Sequence, residues 1–438
     1  MADLKTIARS IFTSTAGAID IPAAIERKLS LDGSLLLFDG GLPVDLNLFR
    51  QVHVVAIGKA AHAMVEGLTR VLGPDVKRVG IVSAPEPPRQ AVAGWRYFSG
   101  GHPMPNRESF EAAEAILELL KTSDENTIVF FLLSGGGSAL VEMPLDSALR
   151  LEDVQQVHRA LVTCGGSIDE INTVRKHLSA VKGGRLAVAA GAATKLTLAV
   201  SDVPLGKESA LASGPTVCDP TTTFDALRVI GKYSLLPKFP SELRQWLGAG
   251  RMPETPKKGN AAFANAEFYL LLGMDDLFHP AHRAAEACGF IACCDNSTDD
   301  WPVEKAADHL LTQLRELQEA HGGRRVALIA DGELSSPVTG NGIGGRNSAF
   351  VLACVEKIAA KKIAVLSVGT DGVDGNSPGA GAVADGETLA RAKELGLDPQ
   401  DYFARSDAFR FFEALGDAVV TGPTGNNLRD LRILLSEP

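Results

Sequence analysis

Three consecutive glycines flanked by serines form the first candidate site in this chain of 438 residues. They directly follow the apolar, β-branched segment 127–133, which is typical of a buried strand. Consecutive glycines bury no side chain, but they let an anion approach backbone N–H groups. Such loops at the carboxyl ends of α/β strands often bind phosphates, so we favour a phosphate site over a simple tight turn. The residues are Ser134, Gly135, Gly136, Gly137 and Ser138.

Lysines near glycines are the second group of candidates. Lys59 follows the apolar run 52–57, where a helix is expected to begin. A cation there opposes the helix dipole, a penalty that a bound phosphate reduces. Lys176 and Lys182 lie in a basic amphipathic segment, 171–190, that contains a glycine pair. A phosphate-facing surface is one interpretation for all three lysines, and solvated surface charge is the alternative.

Polar loops follow two more apolar runs. Asp202 comes two positions after residues 196–200, at the rim where open α/β sheets place catalytic groups, and capping of the turn there is the alternative. Further loops rich in glycine and hydroxyl groups contain Ser213 and Gly214, and Thr421 and Gly422.

Arg346 ends a glycine-rich loop in the second half of the chain. Gly340, Gly342 and Gly345 match the pattern G-x-G-x-x-G of dinucleotide folds. The pattern does not directly follow its strand, 326–330, as that fingerprint requires. A loop that presents Arg346 to a charged ligand suits the residues better, because arginine stabilises charge on a transferring phosphoryl group.

Asp371 and Asp374 stand among glycines after the apolar run 363–368. Two carboxylates in such a loop are candidate Mg²⁺ ligands, acting through water, and Asx turns are the alternative. Strand-end glycine loops, separated cations and several aspartates together fit phosphoryl transfer, in which a protein mainly positions groups and neutralises charge.

The composition of the chain indicates which classes of molecule it can bind. The formal net charge of −10 argues against nucleic acid, because there is no basic excess to neutralise its backbone. The six cysteines include no C-x-x-C pair, which favours reduced thiols. No secretion signal or membrane-length apolar run is evident. We therefore expect a cytoplasmic protein with small-molecule partners and no membrane partner, for which an oligomer is compatible with the sequence.

The elements that must position these residues alternate along the chain. Strand-like runs at 52–57, 79–82, 127–133, 196–200, 326–330, 363–368 and 418–420 are separated by helical patterns. This alternation predicts an α/β fold with largely parallel sheets. Prolines and glycines at 236–260 indicate a connector, so we expect two domains, residues 1–250 and 251–438, the first of them Rossmann-like.

Segments throughout the chain resemble the glycerate 2-kinase family, whose C-terminal region is called the MOFRL domain. Their order and spread cover nearly the whole sequence, which makes the resemblance specific. The matching segments are 56–60, 101–105, 133–139, 175–179, 182–187, 201–203, 212–216, 344–347, 369–372 and 421–425.

The resemblance implies ATP-dependent phosphorylation of D-glycerate at its 2-hydroxyl, with a divalent cation such as Mg²⁺, in a cleft between two α/β domains. By position it assigns catalysis to Lys59, Asp202 and Arg346. Asp202 would accept or orient the hydroxyl proton, and the two cations would neutralise phosphates or the substrate carboxylate. The glycine loop would contact a phosphate through its amides.

A kinase of a related small hydroxy acid is an alternative to phosphorylation of D-glycerate. Two functions of other classes also remain open from the sequence. Members of this family have also been labelled hydroxypyruvate reductases, which would make the protein a nicotinamide-dependent oxidoreductase. A non-catalytic module that binds sugar phosphates is the third interpretation, although no helix-turn-helix candidate accompanies it.

Overall fold

The computed structural model describes residues 3–39, 41–88, 90–201, 203, 206–273, 275–425 and 428–438. Contacts between residues divide the chain into two compact units. The parallel-sheet unit consists of Ile21–Leu272, and the mixed-sheet unit consists of Met1–Asp20 together with Gly273–Pro438.

Helices and strands alternate as the sequence predicts. The helices are α1 Leu4–Ala18, α2 Ile21–Lys28, α3 Ala61–Leu72, α4 Arg107–Lys121, α5 Gly137–Leu140, α6 Leu151–Val162, α7 Ile168–Leu178, α8 Arg185–Ala189, α9 Thr223–Lys232, α10 Ser241–Gly248, α11 Asp275–Ala287, α12 Val303–Ala320, α13 Arg346–Val355, α14 Thr388–Glu394, α15 Pro399–Ala404 and α16 Ala408–Leu415. Short 3₁₀ helices lie at Leu46–Leu48, Glu208–Ser213, Leu236–Lys238 and Ala261–Phe263. Within the described ranges, no helix combines the length and the apolar character needed to cross a membrane.

The strands include every run predicted from the sequence and several others. They are β1 Leu29–Asp32, β2 Leu35–Phe38, β3 Val44–Asp45, β4 Gln51–Ile57, β5 Val79–Ala84, β6 Arg96–Ser99, β7 Thr127–Ser134, β8 Thr194–Val200, β9 Ala266–Leu272, β10 Ile291–Asp295, β11 Val326–Asp331, β12 Ile363–Gly369, β13 Gly381–Asp385, β14 Ala418–Val419 and β15 Asp430–Ser436.

The main sheet of the parallel-sheet unit has the order β6-β5-β4-β7-β8-β9, and every neighbouring pair is parallel. Taking β4 as the first strand, this is the order 3-2-1-4-5-6 of doubly wound sheets that bind dinucleotides. All of β7 is buried, which explains why its sequence is an uninterrupted apolar run. The strand order reverses between β4 and β7, and open α/β sheets bind ligands beside the carboxyl ends of such strands.

The mixed-sheet unit departs from the predicted parallel arrangement. Its sheet has the order β10-β11-β15-β12-β13-β14, in which β15 runs antiparallel to both β11 and β12. β13 is also antiparallel to β12, because no helix intervenes between them and a parallel return requires a long crossover. The prediction of a largely parallel sheet is therefore wrong for this unit, because β10 and β11 are the only parallel pair among the described strands of this sheet.

The division into units differs from the predicted boundary at residue 250. β9 forms the edge of the parallel sheet, so the residues up to Leu272 belong with the first unit. α1 belongs with the second, where Lys5 forms an ion pair with Asp417 at 3.1 Å. The proline-rich connector also contains α10, whose Leu243 and Trp246 are buried. Proline content therefore indicated an irregular segment but not the end of a unit.

Phe130 in β7 offers a test of this core. Its side chain is 0% exposed, so Phe130→Ala is expected to lower the free energy of unfolding by about 3–5 kcal/mol. Phe224→Ala is the matched control, because Phe224 is 72% exposed and the change should stay within about 0.5 kcal/mol. Urea denaturation measures both. Equal losses in the two variants would contradict the burial described here.

Candidate functional site

Lys59 and the glycine loop meet at the point where the order of the parallel sheet reverses. The Lys59 N–H donates to the Gly135 carbonyl at 3.0 Å, and the Ala60 N–H donates to Ser134 Oγ at 3.0 Å. These bonds join the loops that follow β4 and β7. Lys59 is half-buried in the turn before α3. Ser134 is fully buried, and its hydroxyl holds this turn by accepting the Ala60 N–H.

Gly136 and Gly137 are each required by the backbone for a different structural reason. Gly136 has φ +84°, the left-handed conformation that leads into α5. A Cβ at Gly137 would lie 2.7 Å from the Cβ of Ala212. A Cβ at Gly136 would lie 3.2 Å from both the Lys59 chain and the His102 ring, so these two side chains flank the loop. Sequence reasoning gave His102 no role, although it stands in one of the family segments.

Hydroxyl groups connect this loop to the segment that contains Ser213 and Gly214. Ser138 Oγ lies 2.8 Å from Ser213 Oγ, which in turn donates to Asn172 Oδ1 at 3.1 Å. The φ values of Ala212 and Ser213 are +49° and +60°, a conformation that costs free energy in residues with a Cβ. Strained backbone of this kind clusters at functional sites. The structure thus brings together the two predicted loops, and it adds Asn172, which no sequence pattern indicated.

Lys176 and Lys182, which are predicted to bind a cofactor, both form ion pairs inside the protein. Lys176 Nζ pairs with Asp219 Oδ1 at 3.2 Å, and neither side chain is more than 5% exposed. Lys182 Nζ lies 2.5 Å from Glu142 Oε2, with 1% of its side chain exposed. A buried ammonium that leaves its carboxylate would strand an uncompensated charge, so both lysines are assigned to the framework.

Glu142 is the centre of a buried network that engages both of its carboxylate oxygens. Its carboxylate also accepts hydrogen bonds from Ser179 Oγ at 2.6 Å and from the Met143 N–H at 2.9 Å, and His158 Nε2 lies at 3.2 Å. Burial alone would raise the pKa of Glu142, but the charges and hydrogen bonds of Lys182 and His158 hold it well below its usual range. The network therefore stabilises the fold in its ionised form.

Asp202, the predicted catalytic carboxylate, lies outside the described residues. The sequence places it two positions after the last residue of β8, a strand adjacent to β7 in the parallel sheet.

Arg346 is the first residue of α13 in the mixed-sheet unit and is held by two carboxylates. Its Nε lies 2.5 Å from Asp430 Oδ2, and its Nη2 lies 3.2 Å from Asp430 Oδ1. Nη1 and Nη2 each lie 2.7 Å from an oxygen of Glu333. Burial alone would raise the pKa of Asp430, but the Arg346 charge lowers it, so the pair is ionic. These contacts fix the orientation of the Arg346 guanidinium beside the first residue of β15.

Asp374, which is predicted to be a metal ligand, accepts hydrogen bonds from the first turn of α13. Its Oδ1 accepts the Asn347 N–H at 2.9 Å, and its Oδ2 accepts the Ser348 N–H at 2.9 Å and the Ser348 hydroxyl at 2.6 Å. The side chain is buried, and burial raises the pKa of Asp374. Both oxygens therefore serve the first turn of the helix.

Asp371 occupies a turn at the end of β12, next to the loop that contains Thr421 and Gly422. Its Oδ1 accepts the Val373 N–H at 3.0 Å, and its carbonyl accepts the Thr424 N–H at 3.1 Å. The turn and this loop lie so close that a Cβ at Gly372 would lie 2.0 Å from the Gly422 carbonyl oxygen. Across the residues that the structure describes, no group of three or more histidines, cysteines or acids is arranged to hold a metal ion.

The glycine pattern before Arg346 is used by the protein's own backbone. The Gly342 N–H donates to the Arg405 carbonyl at 3.1 Å, and a Cβ at Gly340 would lie 2.4 Å from that same oxygen. Gly345 approaches Asp374 closely at the start of α13. These contacts are not those of a loop that wraps a pyrophosphate, in agreement with the sequence argument against a dinucleotide fingerprint.

Asp331, the last residue of β11, lies among arginines next to this site. Arg429 Nη1 lies 3.5 Å from its Oδ2, and Arg429 Nη2 lies 2.5 Å from Asp299 Oδ2. Arg432 donates to the Asp331 carbonyl oxygen. Burial raises the pKa of Asp331 to about 6, although the arginine charges act in the opposite direction.

Fold and site together define a class: an α/β protein that presents cationic side chains and a glycine loop at the carboxyl ends of its strands. Residues 7–248 match the family described as a domain of unknown function, DUF4147, and residues 326–430 match the MOFRL family.

A D-glycerate 2-kinase of Thermotoga maritima is 35% identical over 89% of this chain and 91% of its own length. The crystal structure of a glycerate kinase from the same organism aligns over 99% of both chains, with a TM-score of 0.79 and 32% identity. A protein of Agrobacterium vitis provisionally named a hydroxypyruvate reductase is 35% identical over 87% of this chain and 86% of its own length. The chain therefore belongs to the glycerate 2-kinase family.

The Lys182–Glu142 pair predicts a loss of stability on substitution. Lys182→Met would leave Glu142 buried and uncompensated, so the free energy of unfolding in urea should fall by about 3–5 kcal/mol. Lys207→Met is the control, because Lys207 and Asp169 form an exposed pair and the effect should be much smaller. A stable Lys182→Met protein that has lost affinity for nucleotide would instead restore the ligand-binding role.

Asp331 predicts a dependence of stability on pH. Its pKa is about 6 in the folded protein against 3.8 as its ordinary value, so between those values the folded state binds a proton that the unfolded state has released. The contribution of Asp331 to the free energy of unfolding should therefore fall as the pH rises through this window, by on the order of 2–3 kcal/mol. Asp331→Asn should remove this component in urea denaturation between about pH 4 and about pH 7. An unchanged slope would contradict the assignment, and Asp75→Asn, at an exposed turn, is the control.

Proposed function

We propose that this protein transfers a phosphoryl group from ATP to the 2-hydroxyl of D-glycerate, giving 2-phosphoglycerate and ADP. The observation that carries the proposal is the meeting of Lys59 with the glycine loop at the reversal point of the parallel sheet. The kinship with the D-glycerate 2-kinase of Thermotoga maritima supplies the substrate and the position of the transferred group.

In the parallel-sheet unit, Lys59 and the first N–H groups of α5 are the proposed anion-binding elements. N–H groups in the first turn of a helix have no acceptor within the helix, and a glycine loop lets a phosphate approach them. Lys59 adds a positive charge at the same loop, and Ser138 and Ser213 add hydroxyls. Gly135, Gly136, Gly137 and Gly214 shape the backbone around these groups. Charge neutralisation and positioning are the main requirements of phosphoryl transfer.

Asp202 is the proposed general base, which accepts or orients the proton of the 2-hydroxyl. A positioned base of this kind typically contributes 10²–10⁴-fold in rate. Arg346 is proposed to bind an anionic group of a substrate, either the carboxylate of D-glycerate or a phosphate, because a planar guanidinium matches two oxygens at once.

Mg²⁺ is proposed to accompany ATP rather than to occupy a cage formed by the protein. Asp374 is committed to α13, which leaves Asp371, half-exposed beside Thr421 and Gly422, as the candidate carboxylate. Magnesium in kinases is commonly bound by one or two carboxylates together with the phosphates of the nucleotide, whose charge it neutralises. Every other proposed role belongs to side chains and amides of this chain.

We further propose a cytoplasmic enzyme of small molecules with no nucleic-acid partner. The net charge of −10 disfavours polyanions, and none of the six cysteines forms a disulfide, as is usual in a reducing compartment.

The proposed reaction is tested by ADP release from ATP and Mg²⁺ with and without D-glycerate, in parallel with NADH oxidation by hydroxypyruvate. We expect ADP formation that depends on D-glycerate, and a product that enolase accepts directly. NADH oxidation without ADP formation would refute the kinase and favour the activity for which the Agrobacterium vitis relative is named.

Asp202→Asn tests the proposed base. The variant should lose about 10²–10⁴-fold in kcat while its Kd for D-glycerate changes little, because the amide keeps the shape but cannot accept the proton. Asp75→Asn, an exposed substitution, serves as the control. Retained turnover in Asp202→Asn would remove this residue from the mechanism and would suit a binding module.

A further inference from the structure

We infer that Glu333 is an internal competitor for the anion that Arg346 binds, and that it thereby sets the affinity and selectivity of this arginine. The inference rests on the proposed function only in naming the ligand group, which is a carboxylate or a phosphate. Its geometric basis lies wholly in the mixed-sheet unit.

Asp430 and Glu333 together occupy the N–H groups of Arg346 in such a way that a ligand cannot contact two adjacent ones at once. A guanidinium has five N–H donors. Asp430 and Glu333 each take two contacts with it: Asp430 binds Nε and Nη2, and Glu333 binds Nη1 and Nη2. Bidentate recognition of an anion requires two adjacent N–H groups, so one of the two carboxylates has to leave before a ligand is held in this way.

The two carboxylates differ in their freedom to leave. The Asp430 side chain is 3% exposed, whereas the Glu333 side chain is 43% exposed. Asp430 begins β15 and pairs in register with Gly369 of β12, so its backbone is fixed in the sheet. A buried carboxylate that lost its cation would be strongly destabilising, but an exposed one is readily hydrated. Glu333 is therefore the displaceable partner, and Asp430 is the positioning residue that keeps Arg346 in orientation.

A ligand carboxylate that replaced Glu333 at Arg346 would have the same charge and the same planar shape. Glu333 presents a planar pair of oxygens to Nη1 and Nη2, as the carboxylate of a 2-hydroxy acid would. An incoming monoanion replaces one carboxylate with another, so its net gain at Arg346 is small unless it makes further contacts. A phosphate, or a hydroxy acid bound at a second point, has the additional interactions needed to compete. Glu333 thus discriminates against simple carboxylates.

The test is the affinity of Glu333→Gln for D-glycerate and, separately, for inorganic phosphate, each measured by titration calorimetry without turnover. Glutamine keeps the size of the side chain but removes the competing charge. The Kd of the ligand that binds Arg346 should fall by about two- to five-fold, the factor that corresponds to an exposed ion pair. The ligand whose Kd falls identifies the group that Arg346 receives, and acetate should gain affinity in the variant as well.

Matched variants separate this effect from a general change in structure. Glu66→Gln makes the same substitution in the exposed Glu66–Arg70 pair and should leave both Kd values unchanged. Glu333→Ala, which removes the side-chain oxygens altogether, should tighten binding at least as much as Glu333→Gln. Asp430→Asn should weaken binding, because Arg346 loses its fixed orientation.

The outcomes are distinguishable from those that test the kinase. Unchanged or weaker binding of both D-glycerate and phosphate in Glu333→Gln would overturn the inference, even if the protein forms ADP in the presence of D-glycerate. Tighter binding of phosphate in a protein that forms no ADP would sustain the role of Glu333 and refute the proposed function.

Discussion

The parallel pairing of β4 with β7 is the constraint on which the site in the parallel-sheet unit depends. Their register brings Ile57 beside Leu133, so the residues that follow both strands emerge side by side at one edge. The hydrogen bonds from Lys59 and Ala60 to the glycine loop then fix the two turns to each other. The position of the candidate site is therefore a consequence of strand order.

Charge compensation separates the basic residues that build the fold from those suited to ligands. Lys176 and Lys182 are buried with buried carboxylates, so each pair is ionic and closed. Arg346 differs because one of its two carboxylates, that of Glu333, is half-exposed. The exposure of the partner, more than the charge itself, decides whether a cation is available. The same reasoning removes Asp374 from the candidate metal ligands, since a helix terminus has taken both of its oxygens.

Sequence patterns predicted some of the uniformly buried strands but not all of them. β7 and β12 were evident as apolar runs because strands buried on both faces need no alternation. β9, β10 and β15 were not predicted. β9 and β10 are edge strands of mixed burial, and β15 is a buried run whose partners lie far from it in sequence. The antiparallel direction of β15 could not be predicted from local sequence either, because its pairing with β11 and β12 is a long-range contact.

The sequence by itself determined the family, the α/β class and the loops that contain Lys59, the glycine triplet and Arg346, because these depend on residue type and local order. Only the tertiary structure decided which charged groups are already neutralised. Lys182 and Lys59 are both lysines near glycines, and nothing local distinguishes them. Lys182 pairs with Glu142, and Lys59 contacts the loop after β7. Both partners are distant in sequence and meet these lysines only when the chain folds. The electrostatic state of a side chain is set by its neighbours in space, which a linear pattern does not contain.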